Sequence, residues 1–177
     1  MTSHPHATGR FCMQCGAELT ERVPPGDTMT RLVCDACGFV HYLNPRPVAG
    51  TIPEREDGSL LLVRRAIEPR LGSWVFPGGF MDVGETAEEA AARETREEAN
   101  LDVDELSLLG VYTRTHAGVV VIVYEARALG EGSAGSETSE IGWFAPDAIP
   151  WDELAFDTTH WALGAWLERR GLERPSG

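Results

Sequence analysis

The chain has 177 residues, a hydrophobic fraction of 42% and a net charge of −13, and all 15 of its basic residues are arginine. That length holds one domain of ordinary size plus a small appendage, and the apolar fraction fits a globular protein. The acidic balance argues against general nucleic-acid binding but leaves small phosphate substrates open, because a divalent metal inverts the local field.

The amino-terminal MTSHPHATGR has no apolar core, and no apolar run approaches bilayer length, so no membrane association and a cytoplasmic location are expected. Cys12-Met13-Gln14-Cys15-Gly16 and Cys34-Asp35-Ala36-Cys37-Gly38 follow as two Cys-x-x-Cys-Gly knuckles, with eighteen residues between Cys15 and Cys34. Two thiolates and a tight turn grip half of a tetrahedral zinc, and the spacing matches a four-cysteine ribbon. The rivals are disulfides, disfavoured in the cytosol, and a redox pair, which would not occur twice here. A closed thiolate site serves folding and not catalysis. Arg10, Arg22 and Arg31 are offset by Glu18, Glu21, Asp27 and Asp35, so the ribbon shows no basic stripe for nucleic acid. His41 to Pro47, HYLNPRP, reads as a linker broken by prolines, with no metal role for His41. The expected domains are 1–42, tail and ribbon, and 43–177.

Val48–Ile52 and Leu60–Arg64 are short apolar strands around EREDGS, a hairpin signal, and Trp74–Phe76 is a brief strand leading into FPGG. Paired glycines let backbone approach a ligand closely and turn a carbonyl toward it. Thr86 and Glu89 form a capping-box pair, and AEEAAARETREEA has high helix propensity, so a helix is predicted from Thr86 to Ala99. At about 100° per residue, Glu94, Glu97 and Glu98 share one face, with Arg93 one turn before Glu97. Most glutamate runs are solvated faces; here the preceding glycines and the arginine favour a site for Mg²⁺ or Mn²⁺, hard cations that bridge to substrate phosphates. Strands are predicted at Leu106–Thr115, Val119–Ala126 and Ile141–Phe144, with GEGSAGS, residues 130–136, as a flexible loop. A last helix capped by Asp157 or Thr158 runs to about Arg170, with Trp161, Leu163, Trp166 and Leu167 on its apolar side, and GLERPSG frays. Strands around a central helix with a second helix at the end give an α+β sandwich.

Gly79, Glu85, Arg93-Glu94, Glu97-Glu98 and Asn100-Leu101, at their spacing, resemble the signature box of the Nudix hydrolases, with Thr95 where the family usually has an aliphatic residue and Asn100 where it has Gly. The resemblance implies a Nudix-type α/β/α sandwich with a mixed sheet. It implies Glu94, Glu97 and Glu98 as metal ligands, the Gly79 carbonyl as a further ligand, Glu85 behind them or on another ion, and Arg93 holding the carboxylates. Glu137, ahead of Glu140, is the expected ligand or base from a later loop. CxxCG, NPRPV, LGSWVFPGGFMDVGET and PWDELAF together look like the zinc-ribbon group acting on FAD and ADP-ribose. The SQPWPFPxS segment of NADH pyrophosphatases is absent where SLLGVYTRTHAG stands, making NADH, like (deoxy)nucleoside triphosphates, an alternative. A nucleotide-sensing module with a partner-binding ribbon is the reading from another class. Trp74, Phe76, Phe80 and Tyr112 are candidates to stack on adenine or flavin, although such residues are more often core, and Arg65 and Arg114 are candidates for phosphate or ribose. Related enzymes imply a homodimer.

Overall fold

A computed structural model describes residues 9–174. Residues 1–8 and the last three residues of GLERPSG lie outside them. The chain divides into two compact units, Met1–Pro45 and Arg46–Gly177.

In the first unit β1 (Leu19–Arg22), β2 (Arg31–Cys34) and β3 (Val40–His41) form an antiparallel sheet in that order. Each cysteine knuckle closes through a glycine amide, Gly16 to the Cys12 carbonyl at 2.8 Å and Gly38 to the Cys34 carbonyl at 2.9 Å. Both glycines have φ of 77°, where a side chain would be strained. His41, expected in the linker, is instead paired with Leu32 in β3.

The second unit contains β4 (Arg46–Glu54), β5 (Leu60–Arg65), β6 (Trp74–Val75), β7 (Gly78–Phe80), α1 (Ala87–Ala99), β8 (Asp102–Arg114), β9 (Val119–Leu129), β10 (Thr138–Phe144) and α2 (Asp157–Arg169). The sheet runs β10-β5-β4-β9-β8, with β6 beside β5 and β7 beside β4. Only β4 and β9 run parallel, so the sheet is mixed. The EREDGS turn joins β4 and β5, yet they pair only at Glu54 and Leu60. Beyond that point they part around the β6–β7 segment. β7 approaches β4 so closely that a Cβ on Gly78 would meet the Gly50 Cα at 2.7 Å, so the paired glycines first serve backbone packing.

One face of the sheet buries Ala90, Ala91 and Ala99 of α1 with Ala49, Leu61, Val63 and Leu101. The other buries Leu163, Trp166 and Leu167 of α2 with Ile52, Leu60, Leu62, Val121 and Val123. Helix, sheet and helix make the expected α/β/α sandwich. Trp161 departs from the expected apolar side: it is 49% exposed, lying about 140° around α2 from Trp166. The cap of α2 is Phe156, without a side-chain bond, and Asp157 falls in the first turn while Thr158 is buried. β8 starts before its predicted first residue and β9 runs past its predicted last one, where charged pairs such as Arg127 and Asp104, 2.6 Å apart, interrupt the apolar pattern.

Candidate active site

The site is built where α1 faces β7. Thr86 Oγ1 accepts from the Glu89 amide at 3.2 Å and Glu89 Oε2 from the Thr86 amide at 2.8 Å, fixing the start of α1. Two turns on, Arg93 is the hub. Its Nε and one terminal nitrogen donate to the two oxygens of Glu85 at 3.0 and 2.8 Å, and that same terminal nitrogen reaches the Phe80 carbonyl at 3.1 Å. Its other terminal nitrogen donates to Glu94 at 2.7 Å and Glu97 at 3.3 Å. The Asp82 amide also donates to Glu85 at 2.6 Å. The Arg93 hydrogen bonds, with that amide, hold the Glu85 carboxyl down at about 2.

The Gly78 amide donates to Glu98 Oε2 at 2.9 Å. Glu94 lies against Gly79 so closely that a Cβ there would meet its carboxylate at 2.5 Å. Both carboxyls are raised. Burial pushes Glu98 up to about 7, and the negative charges of Glu94 and Glu137 add to it while the Gly78 hydrogen bond opposes. Burial likewise raises Glu94, with Glu97 and Glu137 contributing and Arg93 opposing. Glu137 is therefore felt by both glutamates. Glu140 instead pairs with Arg64 at 3.3 Å.

The loop carrying Glu137 was expected to be flexible; it is fastened to the carboxyl end of α1. The Glu98 carbonyl accepts from the Gly135 amide at 2.9 Å and from Thr138 Oγ1 at 2.7 Å, and the Ala99 carbonyl accepts from the Ser133 amide at 2.7 Å. Asn100, left-handed at φ 43°, donates from Nδ2 to the carbonyls of Ser133 and Ala134 at 3.2 and 3.1 Å. Helix-end carbonyls left without intrahelical donors are satisfied by the loop.

The aromatic candidates separate. Trp74 and Phe76 are buried in the α2-side core, where Trp74 meets Phe144 edge-on at 5.0 Å, leaving little ring surface for a ligand. Tyr112 packs on that same α2-side cluster, 6.3 Å from Trp161, and not among the carboxylates. Phe80 is 46% exposed, with the Arg46 guanidinium 4.2 Å from its centroid. Arg65 and Arg114 stand 5.4 and 5.0 Å from the ring centre of Phe156.

Among the described residues, one group has ligand atoms all within 4.8 Å of one another: Cys12, Cys15, Cys34 and Cys37. Cys12 and Cys37 sulfurs are 3.7 Å apart and Cys15 and Cys34 sulfurs 3.5 Å, close to the ~3.8 Å edge of a tetrahedron with zinc–sulfur bonds of about 2.3 Å. All four are free thiols. The glutamates do not form such a ready cage, since Arg93 holds Glu94 and Glu97 while Gly78 holds Glu98. Their donor set is all oxygen and carries surplus negative charge, which fits a hard divalent ion completed by substrate phosphates.

The scaffold is thus a mixed sheet between two helices, with a glutamate-rich helix packed on a Gly-Gly turn. The NUDIX domain profile matches residues 44–167, and the Nudix N-terminal zinc-ribbon profile matches residues 10–43. The chain belongs to the Nudix hydrolase family. A solved NUDIX hydrolase from Nitrosomonas europaea is 38% identical, with a TM-score of 0.85, covering 95% of this chain and 97% of that one. The protein named ADP-ribose pyrophosphatase from Methanocaldococcus jannaschii is 38% identical over 66% of this chain and 70% of its own length. The NAD-capped RNA hydrolase NudC of Stutzerimonas stutzeri is 29% identical over 94% of this chain and 58% of its own. The chain spans about half the length of the NudC relatives it matches.

Sequence reasoning missed the Gly78 amide, the fastening of the loop through Thr138 and Asn100, and Phe156. The first two depend on backbone positions brought together by folding. Phe156 did carry a signal, as the last residue of PWDELAF.

Proposed function

We propose that this protein is a divalent-metal-dependent pyrophosphohydrolase that cleaves a nucleoside diphosphate linked to another moiety, ADP-ribose or FAD, into a nucleotide and a phosphorylated remainder. The carrying observation is the seating of Glu94 and Glu98 against Gly79 and Gly78, with Arg93 bonded to Glu85, Glu94 and Glu97. The Methanocaldococcus jannaschii relative supports ADP-ribose by its name.

Glu94, Glu97 and Glu98 would hold Mg²⁺ or Mn²⁺, with the Gly79 carbonyl and Glu137 as further donors. When bound, these ions supply neutralisation of the diphosphate charge and an oriented water for in-line attack. Arg93 keeps Glu94 and Glu97 in place, and Glu85 stays ionised to anchor Arg93. Glu98 Oε2 is occupied by the Gly78 amide, leaving Oε1 for the ligand role. Glu137 serves as ligand or base from its fastened loop. The four cysteines would hold a structural zinc, about one per chain. The enzyme is proposed to be a cytoplasmic homodimer; among the described residues no helix is long and apolar enough to cross a membrane.

The NudC similarity favours a second reading, NADH pyrophosphatase, and the missing SQPWPFPxS segment ranks it below ADP-ribose and FAD. The test is incubation with Mg²⁺ or Mn²⁺ and ADP-ribose, FAD, NADH or (deoxy)nucleoside triphosphates, beside Glu97→Gln and Glu98→Gln. Turnover of ADP-ribose or FAD, falling about 10²-fold or more in the variants, is expected. Equal, negligible turnover on every substrate overturns the reading, and tight nucleotide binding without turnover assigns the sensing role instead.

A further inference from the structure

Most arginines of this acidic chain are neutralised by a carboxylate; Arg46, Arg65, Arg70, Arg114 and Arg174 make no ion pair among the described residues. Three of them share one end of the sheet. Arg46 opens β4 and Arg114 closes β8, both in register with Val119 of β9, and Arg65 closes β5, which runs antiparallel to β4. Guanidiniums gathered at one end of the sheet without an ion pair repel one another, and a bound anion would offset that.

Arg65 and Arg114 are brought together by one ring. Phe156, the residue before α2, has the Arg65 guanidinium 5.4 Å and the Arg114 guanidinium 5.0 Å from its centroid. The ring's π face stabilises each cation without consuming its N–H donors. Arg65 is further fixed by its Nε, which donates to the Pro69 carbonyl at 2.7 Å. One terminal nitrogen of Arg114 lies 3.3 Å from His116 Nε2, while its Nε is buried without a partner. A buried donor on a cation left unsatisfied is costly, and an anion's oxygen would relieve it. Arg65 is paired with Thr138 of β10, and the amide of its neighbour Ala66 donates to the Glu137 carbonyl at 2.8 Å, which sets Arg65 beside the loop that carries Glu137. The pair therefore borders the glutamates. Phe156 is partly buried against Leu61, Val63 and Val75, which makes it a stiff support.

We infer that Phe156 is a positioning residue that holds Arg65 and Arg114 as a two-pronged receptor for the diphosphate of the substrate. This deepens the pyrophosphohydrolase reading and rests on it. The arginines contact phosphate oxygens; Phe156 acts through them. Bidentate guanidinium–phosphate geometry suits this use, and a lysine would supply charge without the fork.

The test pairs kinetics with metal-free binding. ADP-ribose hydrolysis would be measured for the wild type, Phe156→Leu, Phe156→Tyr, Arg114→Gln and Arg114→Lys, and inorganic pyrophosphate would be titrated calorimetrically in EDTA. Thermal melts would establish that each variant is folded. Phe156→Leu and Arg114→Gln should raise KM about tenfold with kcat little changed and weaken pyrophosphate similarly, Phe156→Tyr should restore both, and Arg114→Lys should restore neither fully. Unchanged KM and pyrophosphate affinity in Arg114→Gln overturns the receptor, and equal loss in Phe156→Leu and Phe156→Tyr reduces Phe156 to a packing residue. No turnover on any nucleotide, with pyrophosphate binding lost in Arg114→Gln, sinks the hydrolase reading while the receptor stands.

Discussion

Thr95 shows how a residue that departs from its family's pattern is accommodated. Its hydroxyl is fully buried, 2.6 Å from that of Thr51 on β4, and donates to the Ala91 carbonyl at 2.7 Å. The Thr95 proton is thus used, and Thr51 donates to Thr95. The sequence shows only a threonine at a position that is usually aliphatic, because the partner lies on a strand 44 residues away. Thr95→Val should cost about 1–3 kcal/mol by stranding the Thr51 hydroxyl, whereas the Thr51→Val, Thr95→Val double variant should lie near wild type. Denaturant unfolding of both singles and the double measures the coupling, and simple additivity would refute it. Glu98 gives a second residue-scale expectation. Its carboxyl titrates near 7 in the folded, metal-free chain but near 4.3 when unfolded, so the fold binds that proton more tightly. Stability from this group is full below the unfolded value and is lost as pH rises through 7. Melting temperature in EDTA should therefore fall between pH 5 and pH 8, and Glu98→Gln should flatten the decline.

At the scale of elements, helix α1 was legible down to its cap, because Thr86, Glu89 and the alanine-rich interior are local signals. The loop after β9 was not. GEGSAGS has the composition of a flexible linker, and nothing in it announces that its amides cap the carbonyls of Glu98 and Ala99. The same holds for Asn100, whose fit to the left-handed position is local but whose bonds to Ser133 and Ala134 are not. The limit is physical: patterns reveal what a segment does with itself, while docking depends on what folding places opposite. Gly135 is where docking is closest. A Cβ there would collide with the Glu97 carbonyl oxygen, so Gly135→Ala must lift the loop and break its bond to Glu98. A loss of about 1–3 kcal/mol is expected, as for other overpacked sites. Because Glu137 travels with the loop, weaker Mn²⁺ binding by calorimetry should accompany it; unchanged affinity would separate Glu137 from the metal.

For the whole molecule, the two units differ in what holds them together. The unit from Arg46 onward has buried layers on both sides of a sheet, with Trp166, Leu163 and Leu167 on one and Ala90, Ala91 and Leu101 on the other. Among the described residues, the first unit's buried hydrophobic side chains are Val33 and two of its four cysteines, Cys12 and Cys34. A segment this small does not reach stability on apolar burial alone, and a metal held by the four cysteines would supply the difference. This is why the cysteine spacing was informative: few other residues there have a core to report. The two units should therefore respond differently to loss of one thiolate. In the full-length Cys34→Ser variant, zinc content should fall well below the about one ion per chain expected of wild type. Amide exchange across β1, β2 and β3 should become fast, while β4, β5, β8 and β9 keep their protection. Exchange that accelerates equally in both units would mean that the ribbon is part of the stability of the larger sandwich, and unchanged exchange in β1–β3 would mean that the sheet stands without its metal.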